Sequence, residues 1–159
     1  MQILHKVAVI SKFLNLTERR VQQLARDGII PKAEKGKYDL VRSVQRLGAL
    51  LANQVALRVL TRPGDEVITG REAHAGWHET GGAAANAGVQ IVEVGQGGLY
   101  TADDLVAAIK PRGLPVFPPT TLVQVENTHN RGGGRVWPQA EVARICGAAR
   151  ERGLATFLD

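Results

Sequence analysis

The sequence predicts an α/β fold in two parts, a small amino-terminal helical module and a larger segment built on a mostly parallel sheet. Strand-like and helix-like stretches alternate from residue 66 to the carboxyl end, which is typical of a parallel sheet covered on both faces. Charge is also unevenly divided, because residues 1–50 hold ten Lys and Arg against four Asp and Glu, and the remainder holds ten against eleven. We therefore predict two domains, 1–50 and 51–159, and expect an anionic partner only for the first.

The composition limits the cellular setting. Cys146 is the single cysteine of the 159 residues, so an intramolecular disulfide is excluded. The amino end lacks the apolar core of a signal peptide, and no run approaches the ~20 apolar residues of a membrane span. These features favour a cytoplasmic protein with no membrane partner.

The amino-terminal module contains two predicted short helices. The first covers residues 7–14, and the second follows a turn, is capped by Thr17 and stops near Gly28. If Val21 and Leu24 face a core with Ala25, the opposite face is polar. That face presents Arg19, Gln23 and Arg26, flanked by Arg20 and Gln22.

Such a polar face has two interpretations. Arg can pair with guanine and Gln with adenine in a major groove, whereas a solvated helix face needs no partner. Residues 30–40, which include Lys35 and Lys37, predict a basic loop or small hairpin able to contact phosphates, and this favours DNA binding.

The string KFLNLTERRVQQLARDGIIPKAEKGKYDLVRSVQRL resembles the winged helix-turn-helix of phage terminase small subunits and, more loosely, the amino-terminal module of MerR-type regulators. The likeness covers about residues 3–50, and GKYDLVRSVQ is its most specific part. It implies binding of double-stranded DNA through residues that include Lys35 and Lys37. Segments that bind the terminase large subunit have no visible counterpart.

Turn residues divide the larger segment into alternating short strands and helices. One long helix over residues 39–60 should end at the Arg-Pro-Gly-Asp turn of residues 62–65. The elements predicted after it are strands at 66–69, 89–94, 121–126 and 154–158, and helices at 72–87, 102–110 (capped by Thr101, with Asp104 three residues on) and 138–152.

Polar residues follow one of these strands at its carboxyl end. The apolar alternation from Val123 stops on Glu-Asn-Thr-His-Asn at residues 126–130 and runs into glycines at 132–134. This pattern predicts a buried strand that presents polar side chains to a site at the carboxyl edge of the sheet. The glycines alone indicate a tight turn as readily as a phosphate-binding loop.

Three strings, NQVALRVLTRPGDEVITGREAHAGWHETGGAAANAGVQIVEV, LVQVENTHNRGGGRVWP and GLATFLD, resemble threonine aldolases of the pyridoxal-phosphate fold type I class, in the same order. The likeness spans residues 53–159, and ENTHNRGGGRV makes it specific. It implies an incomplete αβα large domain, pyridoxal 5'-phosphate as cofactor, and retro-aldol cleavage of a β-hydroxy amino acid to glycine and an aldehyde. It also implies a homo-oligomer.

The resemblance assigns roles to three residues. His74 matches the histidine that stacks on the pyridine ring, and His129 matches the histidine near the substrate hydroxyl, so both are candidate catalytic residues. Asp159 matches the aspartate that pairs with the pyridine nitrogen, where a carboxylate keeps the ring protonated as an electron sink. Glu79 and Asn127 match supporting positions.

Other interpretations of these residues stay open. His74 and His78 would share a helix face, but without a third ligand we predict no metal. His129 could simply cap a strand end. The role of Asp159 depends wholly on the resemblance.

Several expected parts of the enzyme are absent from the sequence. The family's cofactor-binding lysine and the arginine that holds the substrate carboxylate fall after the aspartate, and Leu-Leu-Ala at residues 50–52 replaces its phosphate loop. Lys110 is the only lysine after Lys37, and we expect it to be an exposed amine at a helix end. The chain alone is therefore expected to be inactive.

Three hypotheses follow from the sequence. The chain could be a truncated lyase of the threonine aldolase type, a DNA-binding protein whose α/β segment is a scaffold, or a misjoined reading frame.

Overall fold

The computed structural model describes residues 4–13, 16–27, 30–34, 37–79 and 81–159. The chain divides into two compact units, residues 1–52 and 53–159, and the division falls within one helix, α3 (Leu40–Leu60). The long helix predicted for residues 39–60 is confirmed. Within the described ranges, no helix is both long and apolar enough to cross a membrane.

The first unit combines short helices with an antiparallel sheet. Its sheet has the order β1-β3-β2, and β1 was not predicted from the sequence. The elements are β1 (Leu4–Lys6), α1 (Val7–Phe13), α2 (Glu18–Arg26), β2 (Lys32–Glu34) and β3 (Lys37–Asp39). Of the two alternatives for residues 30–40, the structure has the hairpin, formed by β2 and β3.

Local sequence explains α2. The Thr17 hydroxyl accepts a hydrogen bond from the Arg20 backbone amide, as predicted for an N-cap. Val21 and Leu24 are buried in a small core that also contains Ile10, Ile30 and Tyr38. The opposite side is exposed at Arg19, Gln22, Gln23 and Arg26, with Arg20 half-buried. Lys37 is exposed on β3, and Lys35 lies outside the described residues.

The second unit is an α/β domain. Its strands run in the order β5-β4-β6-β7, and every pair is parallel, which confirms the predicted sheet. Its elements after α3 are β4 (Glu66–Gly70), α4 (His74–Trp77), a π-helical turn (Ala83–Ala87), β5 (Gln90–Val94), α5 (Ala102–Ala108), β6 (Thr120–Val125), α6 (Gln139–Glu151) and β7 (Ala155–Leu158).

Both faces of the sheet are covered. Side chains that alternate along a strand point to opposite faces, so Ile68 packs with α5 and α6 while its neighbour Val67 packs with the π-helical turn. Leu105 and Ile145 belong to the first cluster, and Leu122 belongs to the second. The predicted two-sided arrangement is therefore present.

The single helix predicted for residues 72–87 is wrong. The structure has the four-residue helix α4, a turn, and then the π-helical turn Ala83–Ala87. Gly81 adopts a left-handed φ of 73°, which a continuous right-handed helix cannot include. The break matters because it places Glu79 outside a helix, beside His74.

Candidate active site

The candidate site lies at the carboxyl edge of the parallel sheet. His74 follows β4, Glu126 directly follows β6, and Asp159 directly follows β7. The backbone fixes the last two together, because the Asp159 amide donates to the Val125 carbonyl at 2.9 Å and the Asn127 amide donates to the Asp159 carbonyl at 2.9 Å. Three separate stretches of sequence therefore meet at one edge.

A hydrogen-bond network joins His74 to Asp159. His74 Nδ1 lies 3.1 Å from Glu79 Oε1, and Asn53 Nδ2 donates to the same oxygen at 2.9 Å. Asn53 Nδ2 also donates to Asp159 Oδ2 at 2.8 Å, and the Gln54 side-chain amide donates to Glu79 Oε2. The candidate ring-stacking residue and the candidate pyridine partner thus belong to one connected set of side chains.

Glu126 is a second point of connection. Its carboxylate accepts from the backbone amide of His74 at 2.5 Å and from that of Asn130 at 2.7 Å. Its Oε2 also lies 3.8 Å from His129 Nε2. The buried Glu126 carboxylate therefore holds the backbone of His74 in place and lies close to His129.

His129 is completely buried. The backbone amide of Gly132 donates to its Nδ1 at 2.9 Å, so the neutral imidazole carries its proton on Nε2. That Nε2 has no hydrogen-bond partner among the described residues, Glu126 being too distant for a good bond. In this tautomer His129 is a hydrogen-bond donor, enclosed rather than capping the strand.

The environment shifts the pKa of two site residues. The hydrogen bond that His74 donates to the Glu79 carboxylate raises the pKa of His74 above its ordinary value, although burial opposes the shift. The charges of Glu79, Glu126 and Asp159 raise this pKa further. Burial raises the pKa of Asp159, against the hydrogen bond from Asn53, and the nearby glutamates raise it further. The site therefore favours a protonated imidazole within a cluster of carboxylates.

Lys110 lies at the other edge of the sheet. Its ammonium forms an ion pair with Glu66, the first residue of β4, and its side chain is 33% exposed. The amine that was expected to be exposed is only partly so, and the buried Glu66 carboxylate holds it.

The remaining predicted positions have structural contacts. The Asn127 side-chain oxygen accepts from the Trp137 backbone amide at 3.3 Å, which fits a supporting role. Gly133 and Gly134 have left-handed φ angles in a tight turn. The part of the chain that the structure describes contains no cluster of three metal-ligating side chains.

Sequence reasoning missed Asn53, Gln54 and the importance of Glu126. A buried glutamate at a strand end was a usable signal for Glu126, since such a carboxylate must find donors. Asn53 and Gln54 stand in an amphipathic helix, where nothing distinguishes them from surface amides.

Comparison with known proteins agrees with this architecture. Residues 49–159 match the family model for beta-eliminating lyases. The chain is 31% identical over 99 residues to low-specificity L-threonine aldolase 1 of Arabidopsis thaliana, and 30% identical over 111 residues to an uncharacterized protein of Caenorhabditis elegans. These alignments cover 60% and 69% of this chain. A solved threonine aldolase of Leishmania major matches 69% of this chain with a TM-score of 0.62 and 26% identity.

The family model covers most of the chain, and the chain therefore belongs to the beta-eliminating lyase family. Threonine aldolases and other members of this family depend on pyridoxal phosphate. The chain spans 28% and 27% of the two curated relatives and 32% of the Leishmania chain.

Proposed function

We propose that residues 53–159 form the pyridine-binding part of a pyridoxal-phosphate-dependent lyase of the threonine aldolase type. The reaction would cleave a β-hydroxy amino acid to glycine and an aldehyde. The observation that supports this most is the hydrogen-bonded connection between His74 and Asp159 through Glu79 and Asn53, at the carboxyl edge of a parallel sheet.

The charge of the site fits a cationic pyridine ring. Glu79, Glu126 and Asp159 bring three carboxyl groups together around His74. A protonated ring nitrogen beside Asp159 would offset part of this negative charge and favour the ionised carboxylate, which burial disfavours. The cofactor, when bound, would supply an electron sink for the pair released by carbon–carbon cleavage.

The residues of this chain would divide the remaining tasks. Asp159 would hold the ring nitrogen, and Glu79 would orient His74 so that its imidazole lies against the ring. His129 would donate a hydrogen bond from Nε2 to the substrate hydroxyl, because Gly132 already occupies Nδ1. The resemblance leaves two roles open for His129, to deprotonate the hydroxyl or to orient it, and this tautomer favours the orienting role.

The chain spans little more than a quarter of the length of its curated relatives. We therefore propose the substrate, the activity and the homo-oligomeric state for the whole protein by analogy with the family. The covalent contact of the cofactor requires a lysine amine. Lys110 is not a candidate for the covalent contact because its ammonium is paired with Glu66 at the opposite edge.

Cofactor binding can be tested without covalent chemistry. Pyridoxine 5'-phosphate has the ring and phosphate but no aldehyde, and its ring fluorescence reports binding. We expect Asp159→Asn to weaken binding about tenfold or more, which corresponds to ~1.4 kcal/mol. The matched control is Asp103→Asn, because Asp103 is 90% exposed on α5. Equal affinity of wild type and Asp159→Asn would contradict the assignment.

A second candidate function concerns the first unit. Its helix α2 exposes Arg19, Gln22, Gln23 and Arg26, and the β2–β3 hairpin adds exposed Lys32 and Lys37. This basic surface supports the idea of a winged helix-turn-helix that binds double-stranded DNA, with Arg20 and Lys35 as further candidates from the sequence. Arg and Gln would contact base edges and the lysines would contact phosphates.

Salt-dependent duplex binding tests the second candidate. We expect affinity for double-stranded DNA to fall steeply with salt, and to fall further in the triple variant Arg19→Ala, Gln23→Ala, Arg26→Ala. The control replaces the exposed Arg144 and Arg150 of α6 and the half-buried Arg152 at its C-cap by Ala, which removes three positive charges elsewhere, one more than the α2 variant removes. If both triple variants bind equally, α2 is not the recognition helix.

A further inference from the structure

Three residues beside the candidate site have contacts that the proposed function does not use. Trp77 ends α4, His78 follows it, and Arg131 approaches from the loop after β6. The Arg131 guanidinium carbon lies 4.4 Å from the centroid of the Trp77 ring, and an Nη2 atom lies 3.4 Å from Glu72 Oε1. This cation–π contact and ion pair join the loop after β4 to the loop after β6.

His78 contacts His74 directly. The centroids of the two imidazoles are 5.3 Å apart, with a 38° angle between the rings. The His78 backbone amide donates to the His74 carbonyl at 2.9 Å, which fixes the spacing of the two residues. His78 Nε2 is buried and has no hydrogen-bond partner within the described ranges.

The charges around the two rings differ. Burial lowers the pKa of His78, and the positive charges of His74 and Arg131 lower it further, with Glu126 opposing. The pKa of His74 is raised by Glu79. At a pH between the two pKa values the pair therefore carries one positive charge, on His74. Protonating His78 as well would place two imidazolium ions in contact.

We propose that His78 and Arg131 are positioning residues for His74. Arg131, stacked on Trp77, holds a positive charge near His78, and the His78 ring, 5.3 Å from that of His74 between centroids, supports the His74 ring. The inference rests on the proposed function to the extent that the orientation of His74 matters for cofactor contact. The contacts of His78 with His74 and of Arg131 with Trp77 are present without a cofactor, so they can be tested in the ligand-free chain.

Titration of the imidazoles by NMR tests the proposal. The chain has four histidines, at positions 5, 74, 78 and 129, and single His→Gln variants assign their resonances. We expect His78 to titrate below His74, and the His74 resonance to show a second inflection at the His78 midpoint. His78→Phe keeps a flat ring without a titrating group, so the second inflection should disappear.

Arg131 has its own pair of variants. Arg131→Gln removes the positive charge and should raise the midpoint of His78, whereas Arg150→Gln, at an exposed position on α6, should not. Arg131→Lys keeps the charge but loses the planar stack on Trp77, so the midpoint of His78 should move less than in Arg131→Gln. Far-UV circular dichroism and thermal melting establish that each variant folds.

The outcomes separate the two proposals. If His78 titrates at or above His74, or if His78→Phe leaves the His74 titration unchanged, the positioning role is wrong. Should His78→Phe fail to fold, the Arg131→Gln titration decides, because an unchanged His78 midpoint would overturn the role of Arg131. Wild-type chain that shows the coupled titration but does not bind pyridoxine 5'-phosphate would remove the proposed function and leave the ring contact intact.

Discussion

Glu79 connects three other side chains of the candidate site. Its two carboxylate oxygens are shared by His74, Asn53 and Gln54. The hydrogen bond between His74 and Glu79 favours the protonated imidazole, because it raises the pKa of His74. The protonation of His74 therefore depends on Glu79.

This arrangement predicts a pH-dependent effect of Glu79→Gln. The folded pKa of His74 is raised, so its contribution to stability is fully present below its ordinary pKa and is lost as pH rises through the raised value. The stability difference between wild type and variant should thus be larger at roughly pH 5.5 than at roughly pH 8.5. Urea unfolding at both pH values measures it.

The control for that experiment is Glu151→Gln, since Glu151 is 77% exposed and pairs only with its neighbour Arg152 among the described ion pairs. Its effect should be small at both pH values. A Glu79→Gln penalty that grows with pH would show that Glu79 does not hold the proton on His74.

At the scale of single residues, the sequence identified some of the site and missed the rest. His74 and Asp159 became candidates because they stand in strings that resemble a family, whereas periodicity alone gave no role to either. Asn53 was missed because the side chain it contacts, Asp159, is 106 positions away in sequence. The two meet because α3 packs against the sheet through Leu57 and because β7 pairs with β6.

At the scale of elements, local rules predicted boundaries well where capping residues were present. Thr101 and Asp104 form the full capping box of α5, as their spacing predicted. The helix predicted for residues 72–87 failed because this stretch contains three glycines, Gly76, Gly81 and Gly82, and has no apolar periodicity. The turn at Gly81 and the tertiary contacts of Glu79 decided that conformation.

The turn after β5 shows how tightly one element can depend on another. Gly98 has a left-handed φ of 85°, and a Cβ atom there would lie 2.0 Å from Cγ of the buried His129 ring. We expect Gly98→Ala to cost about 2 kcal/mol or more, through backbone strain and overpacking. Chemical denaturation monitored by tryptophan fluorescence measures this cost.

Gly147 is the matched control. It lies within α6, and a Cβ there would meet no atom within 4 Å. Gly147→Ala should therefore stabilise the protein by about 0.5–1 kcal/mol, because alanine favours a helix. Equal effects of the two substitutions would show that Gly98 does not pack against His129.

At the scale of the whole molecule, two separate apolar clusters on opposite faces hold the second unit together. Leu122 is completely buried in the cluster with Val67 and Leu57. We expect Leu122→Ala to lower the free energy of unfolding by about 2–5 kcal/mol. Both tryptophans of the chain, Trp77 and Trp137, lie in this unit and report its unfolding.

Val116 provides the comparison for Leu122. Its side chain is 78% exposed, so Val116→Ala should change stability by no more than about 0.5 kcal/mol. If Leu122→Ala has an effect as small as that of Val116→Ala, the cluster around Leu122 does not cover this face of the sheet.

The sequence by itself determined most of the elements, a parallel sheet covered on both faces, and the edge where polar side chains gather. These follow from hydrophobic periodicity, caps and turns, which act over a few residues. The tertiary structure alone decided that Asn53 and Glu79 link His74 to Asp159, that His129 is enclosed as a donor, and that His78 lies against His74. Each of these depends on contacts between distant segments or on a broken helix, and no local pattern encodes such distances.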